Sequence, residues 1–467
     1  MIHQVVSTVN GVLWGWLLIA MLVIAGVWFS VRLGGIQIFQ FRHMFSLLRG
    51  SSKSDKAGIS SFQALCTSLS ARVGTGNLAG VAVAISLGGA GAIFWMWVIA
   101  FLGMATGFAE SLLGQLYKVK DVKGEYRGGP AYYIQQGLNK RWLAITFSLC
   151  LFMGYGFIFS AVQANSITDA LNHAYGISTL DAGIVIILLA GVIVIGGLRG
   201  IARFAEWMVP FMGISYVLVA LAITLINFDQ VPGLLYNILT SAFGLNEAAG
   251  GAFGAAVKHG IQRGLYSNEA GSGSVPHAAA SATPNPNHPA SQGYVQMLGV
   301  FLDTMVLCTC TAMIILLAGG SQSEQMEGIR LTQDAMAFHL GNGGNDFVAA
   351  AISLFAFTSV VANYAYGESN LHMFKLDNRA GRGCYTAGYL AMILWGSMAS
   401  LPHVWAMADM ALGLMTVINI IAIAWLNPTI VAVSRDYLEQ RKAGRTPEYQ
   451  EGNCDIQGST ERGIWDK

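Results

Sequence analysis

Repeated apolar runs of membrane-spanning length constrain this chain more than any other feature. Approximate runs fall at 11–33, 59–87, 90–117, 142–171, 181–198, 204–226, 248–282, 291–318, 346–374, 384–400 and 405–430. A bilayer span needs roughly 20 apolar residues, and a buried soluble core does not produce so many runs of that length. Composition agrees, because only 11% of the residues are charged, about half the roughly 25% of soluble domains. The runs predict an all-α membrane protein with about eleven transmembrane helices. No basic block points to nucleic acid. The six cysteines are scattered, and the Cys308/Cys310 pair has poor spacing for a metal, so small buried hydrophobes are the reading. The first run lacks a preceding basic region and reads as a retained helix rather than a cleaved signal.

Lysine and arginine set the expected orientation. The connection after the first run carries Arg32, Arg42, Arg49, Lys53 and Lys56, and that after the third carries Lys118, Lys120, Lys123, Arg127, Lys140 and Arg141. Arg199 and Arg203 follow the fifth run, and Lys375, Arg379 and Arg382 the ninth. The alternate connections are nearly bare, with Arg330 alone in 319–345. The amino terminus is therefore expected outside and the tail in the cytoplasm. The 283–290 loop is neutral on this test. The polar tail reads as a short helix followed by disorder.

Two runs are interrupted. Gly74 and Gly76 sit within Ser68–Gly80 beside Thr75 and Asn77, where each Gly costs roughly 1 kcal/mol relative to Ala in a helix. Ser267–Pro276 is too polar to face lipid. Backbone unwinds at membrane depth only where protein or a wet cavity surrounds it. With the first run set aside, two sets of five remain. Each begins with a broken helix, and the two start on opposite sides of the membrane, which is an inverted repeat. The expected units are an extra helix at 1–33, repeats at 34–227 and 228–431, and a cytoplasmic tail at 432–467. Unwound helices expose N–H groups that attract a carboxylate and carbonyls that coordinate a cation. For one break alone, close packing of Gly76 and Gly80 explains the glycines equally well; two breaks heading opposed halves favour a site. Gly74-x-Gly76-x-x-Ala79 loosely matches a dinucleotide loop, but no strand precedes it.

Gly88-Gly-Ala-Gly-Ala-Ile-Phe-Trp-Met-Trp-Val-Ile-Ala-Phe-Leu-Gly-Met104 resembles the signature of the alanine or glycine:cation symporter family. Val73-Gly-Thr-Gly-Asn77, Gly128-Gly-Pro130 and Gly264-Leu-Tyr-Ser-Asn-Glu-Ala-Gly271 are similar to that family too. The resemblance implies a LeuT-like fold, sodium-coupled uptake of alanine or glycine, Na⁺ as coupling ion without further cofactor, and a bacterial inner-membrane carrier working as a single chain. It places the substrate carboxylate at Gly74, Thr75, Gly76 and Asn77, with Gly271, Ser272 and Gly273 facing it and Gln163 accepting from the ammonium. A helix–helix hydrogen bond is an equal reading of Gln163. For sodium it implies the carbonyls of Ser70 and Val73 and the hydroxyls of Thr358 and Ser359; ordinary back-bonding within a helix is the plainer reading of those hydroxyls.

Many members carry Trp just before a Tyr-Gly-Glu, whereas this chain reads Ala362-Asn-Tyr-Ala-Tyr-Gly-Glu368. Asn363 would enlarge the pocket and make it more polar, which opens serine or glutamine as alternatives. Among the other intramembrane acids, Glu110, Glu206 and Asp409 read as local ion pairs or caps, while Asp303 and Glu269 raise proton coupling. A channel would use the glycines as a filter, but inverted halves in one chain favour alternating access. A membrane enzyme would show HExxH, GxSxG or paired His/Cys ligands, and the sequence holds none.

Overall fold

The computed structural model describes residues 2–52, 54–244, 251–319 and 328–466. Lys53, the start of the seventh run at 248–250 and parts of the 227–247 and 319–345 connections lie outside them. Apart from two short helices at Ile36–Phe39 and Phe41–Ser46, the helices in chain order are α1 (His3–Arg32), α2 (Ser61–Arg72), α3 (Gly76–Gly88), α4 (Gly91–Leu116), α5 (Pro130–Leu138), α6 (Arg141–Tyr175), α7 (Thr179–Val194) and α8 (Gly197–Ile226). They continue as α9 (Val231–Ala242), α10 (Gly251–Asn268), α11 (Val275–Ser281), α12 (Pro289–Leu317), α13 (Ile329–Leu340), α14 (Asn342–Leu371), α15 (Arg379–Met398), α16 (Leu401–Trp425) and α17 (Asn427–Lys442). Among the described residues, the only sheet is one antiparallel hairpin of β1 (Val119–Lys120) and β2 (Tyr126–Arg127).

Seven of these helices are long and apolar enough to cross a membrane: α1, α4, α6, α8, α12, α14 and α16. Two more, α3 and α7, are apolar but shorter. Outward-facing residues include Val31, Val192, Ile195, Trp207 and Ile226, each at least 73% exposed. A belt of that size is tolerable only against lipid.

Both interruptions are present. A capping box starts α2: the Ser60 hydroxyl accepts from Gln63 N–H and the Gln63 side chain accepts from Ser60 N–H, both at 3.1 Å. The helix stops at Val73, which is extended at φ −76° and ψ 92°. In the second interruption Glu269, Gly271 and Gly273 have φ of 57°, 91° and 87°, a left-handed region that ends any right-handed helix.

The tail departs from the expected disorder. It begins inside α17 and then runs irregularly but packed. Trp465 is 3% exposed and donates to the Leu116 carbonyl at 3.0 Å. Tyr449 N–H donates to Asn287 O, and Gln457 N–H to the Thr429 hydroxyl, each at 2.9 Å. Two large aromatic rings provide enough apolar burial to order an otherwise polar segment.

Candidate substrate and cation site

At the first break the freed amides are taken by side-chain oxygens. Gly74 N–H donates to Asn77 Oδ1 at 3.0 Å, and Thr75 donates through both N–H and hydroxyl to Gln163 Oε1 at 2.9 and 2.8 Å. A Cβ on Gly74 would lie 2.4 Å from Ser359 Oγ and 2.6 Å from Gln163 Oε1, so any other residue would push those two side chains aside. One on Gly76 would lie 3.1 Å from the Ser267 Cα, because α10 presses against the break there. Asp303 joins the two broken helices: it accepts from Asn77 Nδ2 and from Ser267 Oγ, both at 2.7 Å.

The second break is held differently from the sequence expectation. Gly271 and Gly273 N–H donate to the two carboxylate oxygens of Glu110, each at 3.1 Å. Asn419 donates to Glu110 at 2.7 Å and to Gly271 O at 2.9 Å. The Ser272 hydroxyl turns back to Glu269 O at 2.7 Å. The first break therefore meets the end of α10, at Tyr266 and Ser267, while Gly271–Gly273 turns towards α4 and α16. Glu110 is not the local ion pair or cap expected; it anchors the break. A carboxylate mid-span without a basic residue nearby in sequence was the available signal. Asp409 does form an ion pair, to Arg263 at 2.8 Å, but across helices. Glu206 accepts from Gln63 at 2.8 Å.

The expected cation residues cluster. The Ser359 hydroxyl lies 2.8 Å from Ser70 O and 3.3 Å from Val73 O, and Ser70 Oγ donates to Thr358 O at 2.8 Å. The Thr358 hydroxyl instead donates to Phe355 O in its own helix at 2.8 Å, which is back-bonding. Three hard oxygens, Ser70 O, Val73 O and Ser359 Oγ, thus converge directly behind Gly74.

Between the breaks lies a small cavity of about 10 Å³ bordered by Arg72, Gln163, Tyr266, Glu269 and Asn363, the room of about one water. Its walls hold polar atoms without partners: Arg72 Nε and Nη2, Tyr266 Oη, and both side-chain atoms of Asn363. All three residues are buried. Such orphans are rare in native interiors and ask for a ligand or water. Arg72, Tyr266 and the contacts of Glu110 and Asp303 were not among the site residues expected from sequence. Towards the α1–α16 side Trp405 packs on Tyr266 at 4.7 Å and Arg263 covers Trp405 at 4.3 Å. A larger cavity of about 640 Å³ opens beyond that plug.

Buried polar groups without partners thus lie beside a cluster of three oxygens, and comparison with known proteins identifies the class. Residues 1–451 match the sodium:alanine symporter family. The chain belongs to that family. It is 47% identical to an uncharacterized transporter, YaaJ, of Escherichia coli, with 94% of each chain covered. It is 44% identical to the probable sodium/glutamine symporter GlnT of Bacillus subtilis, over 96% of this chain and 93% of that one. It is 36% identical to the sodium/alanine symporter AgcS of Methanococcus maripaludis, over 94% and 98%. As a sodium:alanine symporter family member, the chain is a multi-pass membrane transporter of a family that couples amino-acid movement to Na⁺.

Proposed function

We propose that this protein carries a small neutral amino acid, alanine or glycine, into the cell with Na⁺ by alternating access. The observation that carries the reading is the pairing of Thr75 with Gln163 beside the Ser70–Val73–Ser359 oxygens. The Gln163 and Asn77 side-chain oxygens sit on the freed amides where a substrate carboxylate would bind. An arriving carboxylate would displace Gln163 and keep both Thr75 donors satisfied. Na⁺ would take Ser70 O, Val73 O and Ser359 Oγ, with Thr358 able to rotate into the set. The cavity is too small for alanine, so binding must move the breaks apart, and that movement couples cargo to conformation.

The element order supports a five-plus-five inverted repeat with an extra first helix, eleven spans in all. Broken α2/α3 is followed by α4, short α5, then α6, α7 and α8. Broken α10/α11 is followed by α12, short α13, then α14, α15 and α16. The short helices contact the opposite breaks: Thr332 of α13 bonds Leu78 O at 3.0 Å, and a Cβ on Gly273 would lie 2.7 Å from Pro130 of α5. In this reading the repeats occupy 34–227 and 228–431, a single chain suffices, and the carrier lies in the bacterial inner membrane with its amino terminus outside and tail inside.

A second reading is favoured by Asn363. Its unpaired Oδ1 and Nδ2 suit a side chain bearing an amide or hydroxyl, which makes glutamine or serine cargo. Uptake of labelled alanine, glycine, serine and glutamine into proteoliposomes, with and without a Na⁺ gradient, tests both. Uptake driven by a pH gradient alone would replace sodium with the proton. Gly76→Leu should abolish uptake, and normal uptake by that variant would overturn the site.

A further inference from the structure

Short α5 covers the second break on the tail side of the bundle. A Cβ on Gly129, just before α5, would lie 2.5 Å from His277 Nε2, and one on Gly273 would lie 2.7 Å from Pro130. Tyr132 of α5 donates to Ser369 O of α14 at 3.0 Å. Tyr133 donates to Asn419 Oδ1, and Asn419 in turn holds Glu110 and Gly271 O. One chain of hydrogen bonds therefore links α5 to the unwound backbone.

The far end of α5 is pinned by the tail. Gly458 has φ of 71° and lies so close to α5 that a Cβ there would overlap the Gln136 carbonyl oxygen. Tyr117, at the end of α4, donates to Gln457 O, and Gln457 N–H donates to the Thr429 hydroxyl of α17 at 2.9 Å. Trp465 bonds Leu116 O at 3.0 Å. Lys118 Nζ stands 5.2 Å from the Trp465 ring and donates to Ala282 O, just past α11, at 3.1 Å. Residues 457–465 thus join α4, α5 and α17. They contain no helix or strand, so they can come away without another element unfolding. They also lie beyond residues 1–451, which carry the family match.

We propose that residues 457–465 are a strap that holds α5 over the second break and must detach before the protein opens on the tail side. Lifting α5 would draw Tyr133 from Asn419 and uncover the Gly271 and Gly273 amides. The strap is thus an autoinhibitory contact, a role that rests on the carrier reading above. The test is hydrogen exchange of the full-length protein, followed by mass spectrometry and read at residues 269–274. Gly458→Val forces the strap off Gln136. Exchange at 269–274 should then run about tenfold faster, the ratio that about 1.4 kcal/mol of lost contact produces. Faster exchange confined to the tail, with 269–274 unchanged, is what a purely local role gives and would overturn the proposal. If Gly458→Val does not yield folded protein, Trp465→Ala, close to the chain end, decides by the same measurement. Maximal uptake of labelled alanine should rise in the same variants, and a fall would overturn autoinhibition. Absence of uptake by the unmodified protein would instead refute the amino-acid reading, while exchange at 269–274 still decides whether the strap holds α5.

Discussion

The carboxylate of Glu110 accepts the main-chain N–H of Gly271 at 3.1 Å, tying the middle of α4 to the unwound stretch between α10 and α11. Its second oxygen takes Gly273 N–H and Asn419 Nδ2. A side chain on one continuous helix thus satisfies donors that a broken helix cannot satisfy itself. Removing an acceptor from buried donors costs about 1–3 kcal/mol for each group. Glu110→Leu should therefore lower the melting temperature and abolish uptake, whereas Glu110→Gln, which keeps one acceptor, should do less of both. Thermal unfolding in detergent measures the first and proteoliposome uptake the second; equal melting of the Leu variant and the parent would refute this role.

Ser359 and Thr358 differ in how their hydroxyls are used, and this predicts a ranking. Ser359 Oγ already faces Ser70 O and Val73 O, while Thr358 Oγ1 is bonded within its own helix. Ser359→Ala should raise the Na⁺ concentration for half-maximal uptake about tenfold, the effect of about 1.4 kcal/mol. Thr358→Val should raise it less. Equal shifts would mean that the threonine hydroxyl rotates into the cation shell.

Asn363 is buried with neither polar atom bonded, a condition that lowers stability by about 1–3 kcal/mol until a ligand supplies partners. Asn363→Leu, similar in shape, should raise the melting temperature of substrate-free protein. The same change should weaken competition by glutamine and serine against labelled alanine. Unchanged competition by both would remove Asn363 from the specificity determinants.

His288 makes the tail's attachment sensitive to acid. Its Nδ1 accepts from Ala290 N–H at 3.1 Å, and its Nε2 lies 3.0 Å from Asp436 Oδ2, a pattern that requires the neutral ring. Burial holds the imidazole below its ordinary value, against the Asp436 carboxylate, which raises it. The unfolded ring titrates near pH ~6.5, so below that the unfolded state binds the extra proton and stability falls as pH falls. The melting temperature should drop between pH 7.5 and 5.5. His288→Asn keeps a capping acceptor and should flatten that slope; an undiminished slope would point to other groups.

Much of the site was legible because helix breaking is local. Gly74, Gly76 and the Ser267–Pro276 stretch carry their own signal, and the structure interrupts helices at both places. Ser70, Val73 and Ser359, which the resemblance had singled out with Thr358, lie together, while the Thr358 hydroxyl bonds within its own helix. Gln163 was legible as a residue near the break, but not that its oxygen would hold Thr75. Glu110, Arg72 and Tyr266 were not legible as partners of the breaks, because what they touch is far away in the chain. The tail was misread as disordered because its order rests on two aromatic rings, Tyr449 and Trp465, finding burial against distant helices.

The sequence by itself determined that the chain is helical, lies in a membrane and unwinds at two places, since hydropathy and backbone propensity act within a few residues of one another. Only the tertiary structure decided which groups satisfy the unwound backbone, because a buried N–H accepts whichever oxygen packing brings within 3 Å, regardless of distance along the chain.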